Sequence, residues 1–185
     1  IRRTGSDMVV GTLKRDNGRR QWAMRLMQVN HRVRRERVTL REAPLMLADV
    51  FAVNKVYRRS FWDAAGLSFP VGIRYEDQPV LTRAFLASTA FDVIPETVYL
   101  WRVREDRSSI TQGRHHLADL EDRISTKLTS TALVLAADQP EVLDTWFRDV
   151  LPVDMWEYFR SVPGCSPEYW STLRAGLQQL WHPGT

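Results

Sequence analysis

Apolar and polar positions along this chain follow two different rhythms, and the change falls near Gln112. Before it, short apolar runs are bounded by turn residues. Residues 7–13 read as a strand, followed by Asp16-Asn17-Gly18, whose Asn-Gly pair favours a tight turn. Residues 40–49 read as a short helix interrupted at Pro44. Ser60 is placed to cap a short helix over 61–65, which Gly66 ends. Pro79, with Leu81, Ala84, Phe85 and Ser88 at helical spacing, predicts a helix over about 78–90. Residues 91–94 and 98–103 then read as two strands around Pro95-Glu96.

After Gln112 the period becomes helical throughout. Leu117, Leu120, Ile124, Leu128, Thr131 and Leu135 form the stripe of an amphipathic helix, with Asp119, Glu121, Asp122, Arg123 and Lys127 mostly off the stripe. Further helices are expected at about 140–151, 153–161 and 167–181, divided by Pro152 and by Pro163-Gly164. Their aromatic residues, Trp146, Phe147, Trp156, Tyr158, Phe159, Tyr169, Trp170 and Trp181, suit helical packing, with a sugar-stacking surface as the alternative.

Composition narrows the class. A length of 185 residues fits one domain, or one domain with an appendage, and 44% hydrophobic residues with seven tryptophans are enough for a sizeable core. No apolar run approaches the ~18 residues of a membrane span, and no signal peptide is visible. Cys165 stands alone, which excludes an internal disulfide and a cysteine metal cage and suits a reducing, cytoplasmic setting. The net charge of +4 is carried almost wholly by arginine, because lysine occurs only at positions 14, 55 and 127. Such a surface favours anionic partners: nucleotide-sugars, phosphate-rich polymers or the inner face of an anionic membrane. The densest basic run, residues 32–41, reads as a solvated face or as a phosphate or membrane contact.

The chemistry concentrates at Tyr75-Glu76-Asp77-Gln78-Pro79. A carboxylate at the start of a helix is held ionised and fixed in direction by the unpaired N–H groups there, which suits a general base. The same position suits a plain N-cap. Around it, in order, stand Asn54-Lys55, Phe69-Pro70, Trp101-Arg102-Val103-Arg104 and Ser109-Ile110-Thr111. This ordered set resembles family-2 glycosyltransferases of the GT-A fold over about residues 4–125. The wording Trp-Arg-Val-Arg, Ser-Ile-Thr-Gln and Asp-Leu-x-Asp-Arg is most similar to actinobacterial enzymes of wall-teichoic-acid or related glycopolymer synthesis, some of them fused to a glycerophosphotransferase.

That resemblance implies an α/β fold: the acceptor-side, C-terminal half of a GT-A domain over residues 1–111, followed by an α-helical extension over 112–185. It implies inverting transfer from a nucleotide-diphosphate sugar, uridine-linked, to a cell-wall glycopolymer hydroxyl. Asp77 would be the general base and Glu76 its acceptor-orienting neighbour. Asn54 and Lys55 would meet the acceptor or the sugar, or else brace a loop. Arg104, Ser109 and Thr111 would meet the donor diphosphate, with a surface ion pair as the alternative for Arg104. One departure stands out. No Asp-x-Asp lies upstream of Asn54, where Asp7, Asp16, Glu36, Glu42 and Asp49 lack its spacing. The Mg²⁺ or Mn²⁺ ion of the family would therefore take its main ligands from outside this chain, which is expected to be part of a larger protein and inactive alone. His115 and His116 point roughly 100° apart on a helix and cannot chelate together, although either is a candidate third ligand. Two other readings stay open: a non-catalytic basic module for nucleic acid or other polyanions, and C-terminal helices that serve oligomerisation.

Overall fold

The computed structural model describes residues 1–103 and 115–181. Its sheet is built on β1 (Met8–Asp16), whose two edges are used differently. One edge is shared end to end: β4 (Lys55–Tyr57) pairs antiparallel with Met8–Val10, and β2 (Gln21–Ala23) with Lys14–Asp16. The other edge pairs in parallel with β5 (Phe91–Arg102), which carries β3 (Arg35–Val38) antiparallel on its far side.

β5 is one strand where two were expected. Val10 faces Val93 and Thr12 faces Thr97, so the single residue Gly11 opposes Ile94, Pro95 and Glu96. A bulge is where a residue without an N–H costs the ladder least, which lets the strand run through Pro95. Gly11 matches it from the other side, since a Cβ there would come 2.5 Å from Val98 Cγ1.

Helices cover the sheet. α1 (Arg25–Asn30) and α2 (Arg59–Ala64) are short, and Gly66 ends the latter at φ +59°, the left-handed conformation foreseen for it. Residues 40–49 form no α-helix; Pro44 starts a 3₁₀ turn, Pro44–Ala48, instead. α3 (Asp77–Ala87) is followed by the 20-residue α4 (Leu117–Ala136). α5 (Pro140–Thr145) then passes through a π-helical turn, Trp146–Val150, directly into α6 (Leu151–Phe159). Pro152 was expected to separate two helices, but it sits in the first turn of α6, where its missing N–H is tolerated and the wider π turn relieves the ring. α7 (Pro167–Leu180) is capped by Ser166, whose Oγ accepts from the Tyr169 N–H at 3.2 Å.

The core does not stop at the change of rhythm. Met8, Val10, Phe85 and Phe91 are buried in one cluster with Val134, Val142, Trp146 and Val150. A second cluster joins α4, α6 and α7 through Leu120, Ile124, Met155, Tyr158, Tyr169 and Leu173. The aromatic set divides accordingly: Trp146, Tyr158 and Tyr169 are core, whereas Trp156, Phe159, Trp170 and Trp181 are exposed. In the basic run, the exposed Arg34 pairs with Glu96, and Glu36 pairs with Arg3. Among the described residues no helix is long and apolar enough to cross a membrane.

Candidate active site

Tyr75 adopts φ +61°, and the turn this makes is closed by the Gln78 N–H donating to the Tyr75 carbonyl at 3.1 Å. α3 begins at Asp77; its cap position is Glu76, and no side-chain hydrogen bond caps it. Asp77 is half-buried. Its carboxyl is pushed up from 3.8 to about 6, by burial first and by the Glu76 carboxylate beside it, against the pull of Arg123, Lys55 and the Gln78 N–H. A carboxylate poised there is ionised at neutral pH and more basic than a free aspartate, which is what proton abstraction from a hydroxyl requires.

Asn54 and Lys55 lie beneath this turn, with their side chains directed inward. Asn54 Nδ2 donates to the Gly11 carbonyl at 2.9 Å and to Asp49 Oδ2 at 3.1 Å. Lys55 Nζ donates to Asp49 Oδ1, Phe51 O and Asn54 Oδ1, each at 2.9 Å, and to Asp49 O at 2.7 Å. His31 Nε2 completes the cluster, 3.0 Å from Asp49 Oδ2. Burial pushes the Asp49 carboxyl up, but Lys55 and His31 more than offset it and hold it below its ordinary value. For Lys55 burial wins, and its ammonium is held below its ordinary value despite Asp49. Asp49 and His31 had no visible pattern to mark them. The available signal was an acid enclosed by apolar residues, Leu47-Ala48-Asp49-Val50-Phe51, a few positions before an Asn-Lys pair.

On β4, two residues after Lys55, the Tyr57 hydroxyl is buried without a hydrogen-bond partner among the described residues. Burial drives its pKa up, helped by the Asp49 and Asp77 carboxylates. Its ring meets Trp62 edge-on at 4.9 Å, and Trp62 meets Phe69 at 5.7 Å. An aromatic row thus runs from the neighbourhood of Asp77 to the exposed Phe69-Pro70.

The other wall comes from α4, and here the sequence expectation needs correction. Asp119, Arg123 and Lys127 are buried rather than solvated. Their four-residue spacing is itself one helix face, which meets Gln78 on α3 and Asp154 and Tyr158 on α6. Asp119 accepts from the hydroxyls of Tyr75 at 2.9 Å and Tyr158 at 2.8 Å. The Arg123 guanidinium lies 3.6 Å from the Tyr75 ring centroid and donates to Gln78 Oε1 at 3.0 Å. Lys127 pairs with Asp154 across the gap to α6, and burial still pulls its ammonium down to about 8.

Arg104, Ser109 and Thr111 lie outside the described residues. His115 and His116 are exposed just ahead of α4, with ring centroids 4.0 Å apart. Among the described residues no group of three His, Cys, Asp or Glu side chains converges to hold a metal ion, so these residues do not fit one by themselves.

Comparison with known protein families and with curated proteins finds no match. Solved structures do match. S. aureus TarS 1–349 in complex with UDP-GlcNAc superimposes with a TM-score of 0.70 at 19% identity, over 98% of this chain and 51% of that one. The same TarS segment with UDP gives 0.66 at 17% identity, and a longer TarS structure gives 0.60 at 16%, of which this chain covers 34%. The chain spans about half the length of TarS 1–349. At this identity the likeness concerns fold, and the mixed α/β fold with its helical extension is the TarS fold over nearly the whole of this chain.

Proposed function

We infer that this chain carries the acceptor side and general base of an inverting glycosyltransferase that uses a nucleotide-diphosphate sugar. The observation that carries this reading is Asp77: a half-buried carboxylate at the start of α3, its pKa raised to about 6, between an aromatic row and a buried guanidinium. The fold supports it, since the matched TarS, a teichoic-acid glycosyltransferase, was captured with UDP-GlcNAc and with UDP. Asp77 takes the proton from an acceptor hydroxyl as that oxygen attacks the anomeric carbon. A new carbon–oxygen bond forms on one face while the bond to the diphosphate oxygen breaks on the other, and the diphosphate leaves with the electron pair. Glu76 raises the basicity of Asp77 by like-charge repulsion and faces the acceptor beside it. The row Tyr57, Trp62 and Phe69 offers flat apolar surface for a sugar ring. Asn54 and Lys55 act from beneath, through the Asp49 cluster and the charge of Lys55 on Asp77. Arg104, Ser109 and Thr111 are assigned to the leaving diphosphate, because guanidinium forks and hydroxyls suit phosphate oxygens.

The test is Asp77→Asn in the full-length protein, with transfer from UDP-GlcNAc measured on a teichoic-acid-type acceptor. Turnover falls at least ~10²-fold, the lower range for loss of a general base, while donor affinity stays within about twofold, since Asp77 contacts the acceptor rather than the donor. Near-normal turnover removes Asp77 from the mechanism.

A further inference from the structure

Tyr75 and Gln78 bracket Glu76-Asp77, and one side chain from another part of the chain holds both. Arg123 stacks its guanidinium on the Tyr75 ring at 3.6 Å and donates through Nη1 to Gln78 Oε1 at 3.0 Å. Its Nε donates to the Tyr158 hydroxyl at 3.4 Å. That hydroxyl lies 3.1 Å from the Tyr75 hydroxyl, and both bond to Asp119, one turn before Arg123 on α4. Arg74 Nη1 adds a bond to Asp122 at 3.1 Å, tying the chain just before the turn to the same helix. Tyr75 is the non-glycine residue in the left-handed region here, a conformation that persists only where surrounding contacts enforce it. Burial works against the Arg123 charge, but Asp154, Tyr158 and Tyr75 more than offset it, so the guanidinium remains charged.

We propose that Arg123 is a positioning residue for the Asp77 base, clamping the Glu76-Asp77 turn from α4 through Tyr75 on one side and Gln78 on the other. A planar fork stacked on one neighbour and hydrogen-bonded to the other fixes where the carboxylate between them points, and its charge favours the ionised form. Among the described residues, the other charged or titratable groups facing Asp77 are Glu76 on its own turn, Lys55 and Tyr57 on β4, and Lys127 on α4. Glu76 opposes ionisation, and Arg123 and Lys55 favour it. The C-terminal helices therefore belong to the machinery of the base. Alignment is demanding, since misplacement by ~1 Å can cost ~10²-fold in rate.

This inference rests on Asp77 acting as the base, and three variants in the full-length protein separate the two claims. Asp77→Asn tests the base alone. Arg123→Gln removes charge and fork; the acidic limb of the kcat/KM pH profile then moves up by about one pH unit, the scale of a lost neighbouring cation, and the plateau falls. Arg123→Lys keeps a charge without the fork, so the limb stays near its original position while kcat falls ~10-fold or more. A role confined to folding would scale the active fraction without moving the limb. If Asp77→Asn abolishes turnover but Arg123→Gln, folded by thermal melt, leaves the limb in place, the clamp is wrong and the base stands. Should Arg123→Gln not fold, Arg123→Lys decides alone: parental kcat overturns the clamp. Turnover that survives Asp77→Asn overturns both.

Discussion

The Asp77 carboxyl gives the folded chain a pH dependence of definite sign. Its pKa is about 6 when folded and near 3.8 otherwise, so between those values the folded state holds the proton that the unfolded state has lost. Stability associated with this group is full below about pH 4, falls as pH rises through about 6, and stays lost above it. Asp77→Asn is therefore expected to stabilise the chain at pH 7.5, by on the order of 1 to 3 kcal/mol at ~1.4 kcal/mol per pK unit, and to change little at pH 4. Thermal melts at both values check this. A lower melting temperature at pH 7.5 would instead mean that Asp77 braces the helix start, through the Gln78 N–H that acts on its carboxylate. The motif was legible because Glu76-Asp77 ahead of an amphipathic run is a local pattern. The residues that tune it were not. Arg123 lies 46 positions later, and a charged residue on a predicted helix gives no sign that it points inward until its partners Tyr75 and Gln78 are placed.

At the scale of elements, helices with a clear 3.6 period could be read directly, as α3, α4 and α7 show. Proline misled in three places, for one reason. Its cost depends on whether the missing N–H had a partner to lose, which tertiary pairing decides. At Pro95 it meets a bulge, at Pro152 the first turn after a π segment, and at Pro44 a 3₁₀ turn in place of a helix. Glycine carried information of another kind. A Cβ on Gly176 of α7 would lie 2.5 Å from Ile124 Cδ1 and 2.8 Å from both Cγ atoms of that residue on α4. Two of those contacts are close to the Ile backbone and cannot swing away. Overpacking of this kind costs ~1 to 3 kcal/mol, against ~1 kcal/mol gained in helix propensity. Gly176→Ala is expected to lower the melting temperature, with Ile124→Val in the same chain recovering part of the loss. A rise in melting temperature would show that α7 can slide on α4.

For the whole molecule, the question is whether the helices after Gln112 form a separate unit, as the change of hydrophobic period suggested. The packing favours one cooperative body. Trp146 is fully buried, its indole N–H donating to Thr131 Oγ1 at 3.0 Å, and it shares a cluster with Met46, Leu47 and Phe85 from the earlier part of the chain. The Asp119 bond to Tyr75 and the Arg123 bond to Gln78 cross the same boundary. Neither half can unfold without exposing core of the other, so denaturant should unfold the chain in one transition, with tryptophan fluorescence and far-UV circular dichroism coincident. Trp146→Ala should lower stability by about 3 to 5 kcal/mol, the range for removing a buried aromatic side chain. Hydrogen exchange then reads where that loss is felt. In a single body, amides of β1 and β5 lose protection together with those of α4 and α6, because all open through the global transition. Two transitions, or loss confined to the helices, would mean that α4 to α7 fold independently, and a clamp on the Asp77 turn would then have to form by docking after both parts had folded.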